Sequence, residues 1–149
     1  QEPSPIPSPP LPANELEPAR QEDPLWSIGR EEALRLCRVY EDEMGIMYPV
    51  LELPQLLHQV HLLYDPIRSV LRPLHSLDGS ENVDGLDSTD IHILRLVFAC
   101  ALTAEGSGRS ELAMRLVASV REVADNCVWG SPEIKNIIFL TLLVCGSCQ

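Results

Sequence analysis

The sequence predicts an all-α fold: antiparallel helix pairs, about five helices in all, behind a disordered Pro-rich linker. Three features predict it. From Arg30 onward apolar residues recur at i, i+3, i+4 and i+7, with charged residues on the opposite faces. No stretch alternates apolar and polar residues between hairpin signals, and no internal repeat stands out. Eight of the thirteen prolines fall within the first 24 residues, so the chain joins two compositional regimes.

The linker comes first. Residues 1–28 include PSPIPSPPLPANELEP, carry a net charge of −4 and hold few large apolar residues. Such a stretch cannot bury enough surface to offset its ordering entropy, which predicts an extended, polyproline-prone segment. Its PxxP matches, Pro7 to Pro10 and Pro9 to Pro12, have the spacing of SH3-type ligands but lack a flanking basic residue. An all-α unit is then expected over residues 29–149.

The first helix is expected over Arg30–Met44, where Ala33, Leu34, Leu36, Cys37, Tyr40 and Met44 share a face, with Gly45 as its stop. Ile46 to Leu51 is an apolar connector that Pro49 should hold extended across the base of the domain. Pro54 suits a first helical turn, so a second helix should run to about Tyr64. A weaker third is expected over Pro66–Arg72, followed by a mobile surface loop over His75–Asp87.

Ser88 and Thr89 are cap candidates for a helix over Asp90–Glu105, with a stripe of Ile91, Leu94, Val97, Phe98, Ala101 and Leu102. Gly106-Ser107-Gly108 ends it, and Ser110 or Arg109 opens the next. There Leu112, Leu116, Val120 and Val123 form one side, widened by Ala113, Val117 and Ala124, while Glu111, Arg115, Arg121, Glu122 and Asp125 mark the solvent face. Gly130 closes that helix, and Ser131-Pro132-Glu133 is a compact start for the last. After Asn136 the last helix is apolar on nearly every side, which predicts burial among other helices. Together with Gln1 as first residue, this predicts a fragment whose final helix lacks some of its neighbours, an incomplete domain.

At 149 residues the chain has room for one domain. Its formal net charge is −11 and Lys135 is the only lysine, so it lacks the clustered cations that phosphate neutralisation requires. Aromatics make up 5%, which leaves an aliphatic core. The longest apolar run, Ile137 to Cys145, is about half of the ~20 residues a membrane span needs. Five cysteines, Cys37, Cys100, Cys127, Cys145 and Cys148, lie in helical patterns and number odd, which favours reduced thiols in cytosol or nucleus over a disulfide framework.

No constellation reads as catalytic, and no enzyme is predicted. Cys145-Gly146-Ser147-Cys148 matches C-x-x-C but ends a helix and has no second pair to complete a zinc site. His58 and His61, with Asp65 or His75 further along, are too few and too loosely spaced for zinc. Glu41, Asp42 and Glu43 read as a solvated helix face. Gly106-Ser107-Gly108 lacks the phosphate-binding pattern, and Ser107 and Ser110 have no nucleophile elbow. No catalytic, cofactor or metal residue is assigned.

Two stretches carry a resemblance. One is EEALRLCRVYEDEMGIMYPVLELPQLL, Glu31–Leu57, with Tyr48-Pro49-Val50-Leu51 after the first helix; the other is LAMRLVASVREVADNCVWGSPEIKNIIFLTLLVCGSCQ, Leu112–Gln149. Together they resemble the opening part of the fungal-specific transcription factor domain, the middle homology region of zinc binuclear-cluster regulators. The likeness covers roughly Arg30–Gln149. It implies an all-α nuclear regulatory domain that controls RNA polymerase II transcription through intramolecular or co-regulator contacts, in some members with a small effector. The family's six-cysteine cluster has no counterpart here, so no zinc or DNA contact carries over; DNA would be reached only through that missing domain. The alternative is an unrelated all-α protein-interaction scaffold.

Overall fold

The computed structural model describes residues 3–5, 23–67, 86–106, 110–128 and 134–147. Among them are five α-helices and no β-strand: α1 Arg30–Tyr40, α2 Leu53–Leu63, α3 Ser88–Glu105, α4 Glu111–Val128 and α5 Ile134–Ser147. The fold is all-α, as the periodicity predicts. Most of the linker, the residues 68–72 of the expected third helix, His75–Gly85 of the expected loop and the Ser131-Pro132-Glu133 start signal lie outside the described residues.

Helix α3 is the hub. It packs against α1, α4 and α5, and every residue from Ile93 to Ala101 except Arg95 is buried. The small side chains of Ala99, Cys100 and Ala101 let neighbouring helices approach closely. Around it, α1 contributes Leu36, Cys37 and Tyr40, α4 contributes Leu116 and Val120, and α5 contributes Phe139 and Leu142, all nearly inaccessible to solvent. Helix α2 packs mainly on α1 through Leu56, Val60 and Leu63.

This arrangement leaves part of the last helix exposed, as the sequence leads one to expect. Burial on all sides belongs to α3, while α5 is packed along one side only, with Ile134 75%, Ile137 57% and Val144 63% exposed. Both helices are apolar, but among the described residues α3 packs against α1, α2, α4 and α5, whereas α5 packs mainly against α3 and α4.

The folded unit also begins earlier than residue 29. Asp23 accepts a hydrogen bond from the Leu25 amide and starts a 3₁₀ turn, Pro24–Ser27, with Pro24 in its first positions. Leu25 and Ile28, three residues apart, insert into the core at 1% and 2% exposure. Tyr64 Oη donates to the Ile28 carbonyl at 2.7 Å, and its ring meets Trp26 edge-on with centroids 6.0 Å apart. The final residues of the expected linker are therefore part of the core.

Helix α1 carries Glu31 and Glu32 in its first turn and Arg38 in its last, charges that complement its dipole. It continues into a single wide π turn, Glu41–Gly45, in place of the straight helix expected to Met44. Gly45 leaves room for the Glu41 side chain: a Cβ would lie 2.7 Å from Glu41 Oε2 and would displace that flexible carboxylate. The connector that follows is not extended. The Met44 carbonyl accepts from Met47 N (3.1 Å) and Tyr48 N (2.8 Å), and Val50 N donates to Tyr48 O at 2.7 Å. These bonds fold it into consecutive turns, which overrides the extended bias before Pro49.

The cap of α3 differs from the expected Ser88 or Thr89. Asp87 is the N-cap: it accepts from Asp90 N at 2.9 Å, and Asp90 in turn accepts from Asp87 N at 3.2 Å. This reciprocal capping box satisfies two amides at once, which a lone hydroxyl at Ser88 or Thr89 cannot do. Leu86 is buried beside it, so the end of the expected loop is packed. Ser110 opens α4 as predicted, with its Oγ accepting from Ala113 N at 3.2 Å.

Candidate interaction surface

Charged side chains concentrate where helices meet. Lys135, near the start of α5, donates from Nζ to Asp87 Oδ2 at 2.7 Å and to Asp90 Oδ2 at 3.0 Å. Gln59 of α2 donates from Nε2 to Asp90 Oδ1 at 3.2 Å. Asp90 and Gln59 are both buried, at 4% and 7% exposure. Burial alone would raise the Asp87 pKa, but the bonds from Lys135 and the Asp90 amide outweigh it and hold the carboxyl below its usual range. The bond to Asp87 in turn raises the Lys135 pKa. This cluster ties α2 and α5 to the start of α3. Its carboxylates are committed to one ammonium and to capping, so it is a clasp and not an acid–base pair.

Among the described residues, two arginines carry three further ion pairs. Arg95 of α3 is paired with Asp23, at 2.6 Å from Nη2 to Oδ2, and that bond lowers the Asp23 pKa. It anchors the 3₁₀ turn against the helical core. Arg35 of α1 bridges Glu32 and Glu105, with Nη2 2.9 Å from Glu105 Oε2, and lowers both acids; these groups are exposed and contribute little to stability.

The chemically suggestive residues of the sequence are not drawn into one place. His58 and His61 are exposed, and Arg30 Nη2 donates to His61 Nδ1 at 2.7 Å. That bond occupies the ring nitrogen and sets a cation beside it. Asp65 Oδ1 accepts from Ile67 N at 2.9 Å, forming a local turn. Asp42 and Glu43 are exposed on the π turn. Cys37 lies in the core, and burial pushes its thiol up to about 12, the direction of an unreactive protonated group. Cys100 is likewise buried. The C-x-x-C side chains, Cys127, His75, Ser107 and the PxxP matches lie outside what is described. Among the described residues no group of three or more His, Cys, Asp or Glu is placed to hold a metal ion, and no helix is long and apolar enough to cross a membrane.

The feature that sequence reasoning missed is an exposed surface on the connector. The connector is exposed from end to end: Ile46 at 87%, Met47 at 65%, Tyr48 at 41% and Val50 at 36%, with Pro49 between them. Its apolar run was visible, but the sequence reading placed it extended across the base of the domain, without the turns that present it to solvent. A second strip lies on α5, where the exposed Ile134, Ile137 and Val144 recur at helical spacing. Scattered apolar residues are ordinary on a surface; consecutive ones held in fixed turns are a feature of contact sites.

No protein-family model, no curated protein and no solved structure matches the chain.

Proposed function

We propose that the chain is the regulatory, non-DNA-binding portion of a fungal zinc-cluster transcription factor, acting in the nucleus through contacts with other protein segments. The resemblance over Glu31–Leu57 and Leu112–Gln149 supports this reading, and an all-α unit is the architecture it implies. The observation that carries it is the display of Tyr48, Pro49 and Val50, from the most distinctive letters of the resemblance, in a surface connector between two core helices, with Leu51 packed against the core as its anchor. A segment serving only to cover the core would turn these side chains inward.

The test is to fuse the chain to a heterologous DNA-binding domain and measure transcription of a reporter carrying that domain's sites. A reporter level that departs several-fold from the DNA-binding domain alone is the expected result. A level equal to that control contradicts the reading. It would favour the second one, an all-α interaction scaffold, for which the exposed Ile134, Ile137 and Val144 strip is the specific support.

A further inference from the structure

We propose that the connector Ile46–Val50 is a preformed docking element for a partner protein that offers an apolar pocket rimmed by Lys and Arg. The inference names the kind of partner for the surface discussed above and holds equally for a regulator or a scaffold.

Shape comes first. The connector is anchored at both ends: Met44 is 5% exposed, and Leu51 and Leu53 pack against the core. Between those anchors the Met44 carbonyl holds the amides of Met47 and Tyr48, Val50 N bonds to Tyr48 O, and Pro49 fixes its own φ. A loop already ordered in this way loses little conformational entropy when a partner closes over it. The residues it projects are Ile46, Met47 and Tyr48, an aliphatic, an adaptable thioether and an aromatic with a polar tip. Met and Tyr are enriched at the centres of protein interfaces.

Charge then selects the occupant. Asp42 and Glu43 immediately precede the apolar residues and Glu52 follows them, all three exposed. No Lys or Arg occurs between Arg38 and Arg68. A second copy meeting this surface face to face would bring acid against acid, and an anionic membrane would repel it. An apolar pocket with a basic rim satisfies both parts. Its apolar floor would bury Ile46 and Met47, and its cations would steer the encounter.

The probe is a synthetic amphipathic helix of Leu and Lys, titrated into the full chain and followed by amide NMR shifts, with a Leu and Glu helix of the same pattern as control. The expected result is perturbation centred on residues 41–52, weakening as salt is raised, and absent with the acidic control. The double variant Ile46→Ser, Met47→Ser should weaken binding by about tenfold or more. Both side chains are exposed, so an unchanged circular-dichroism melt confirms that the fold persists. Shifts centred on the Ile134–Val144 strip, or undiminished binding by the double variant, overturn the proposal. Self-association in sedimentation that Ile46→Ser abolishes would assign the surface to a second copy, and flotation with anionic vesicles would assign it to a membrane; either result overturns it. Loss of binding leaves the reporter assay standing, and a silent reporter leaves the binding result standing.

Discussion

Lys135 Nζ lies 3.0 Å from Asp90 Oδ2, so the only lysine of the chain neutralises a buried acid that also caps the central helix. Removing the cation leaves Asp90 buried without its counter-charge, whereas removing an exposed pair leaves two hydrated groups.

Lys135→Met should therefore destabilise the protein by about 1–3 kcal/mol, below the usual cost of breaking a fully buried pair because the Lys135 side chain is 41% exposed. Urea unfolding measures it. A double-mutant cycle with Asp90→Asn should give a coupling of about 1 kcal/mol, and additive effects would contradict the clasp.

Acid should unfold the protein through Asp23 and Asp87. Both carboxyls are held below their usual value of 3.8 in the folded chain, so the unfolded chain takes up protons first. The stability they contribute is complete well above that value and is lost as the pH falls through the lowered folded values. The urea midpoint should decline below about pH 4, and Asp23→Asn with Asp87→Asn should flatten that decline. Lys135 works in the opposite sense: its pKa is raised above 10.5, so its contribution is complete below that pH and lost as the pH climbs past the raised value.

Helix α5 should be held by its inner face alone. Phe139→Ala removes a side chain with no exposed surface that also meets the His92 ring at a tilt, centroids 6.1 Å apart, and should cost about 3–5 kcal/mol. Ile137→Ser, on the exposed side, should change stability by no more than about 0.5 kcal/mol. Thermal melts of the two variants separate the faces; equal losses would show that the outer face is covered.

Tyr64→Phe should cost about 1 kcal/mol, because it leaves the Ile28 carbonyl without its 2.7 Å partner while keeping the ring against Trp26. Burial pushes the Tyr64 phenol up to about 12, with the nearby Cys37 adding to the rise. Alkaline absorbance titration should show Tyr64 ionising late, and the late amplitude should fall by one tyrosine in the variant.

Helices α1, α2 and α4 were legible because each pairs a clear apolar face with a boundary residue of known chemistry: Gly45, Pro54 and Ser110. Which apolar helix forms the centre was not legible. Hydropathy says that α3 and α5 both avoid water, but burial depends on how many neighbours each acquires, a property of the whole assembly. Leu25 and Ile28 were hidden for a different reason. Their proline-rich surroundings read as linker, and Arg95, which anchors the turn through Asp23, is 72 residues from that aspartate. The Asp87–Asp90 box was visible as D-x-x-D, yet the hydroxyls of Ser88 and Thr89 drew attention first. The connector misled because a proline constrains only its neighbour's backbone, while the Met44 carbonyl decides how the segment folds back.

Hydrogen exchange of the intact chain, followed by mass spectrometry, tests most directly whether one helix organises the rest. Slowest exchange over Ile93–Ala101, with the amides around Phe139 and Leu142 opening in the same cooperative step, is the predicted result. Rapid exchange in that stretch of α3, or protection of α5 that persists after α3 has opened, would contradict it.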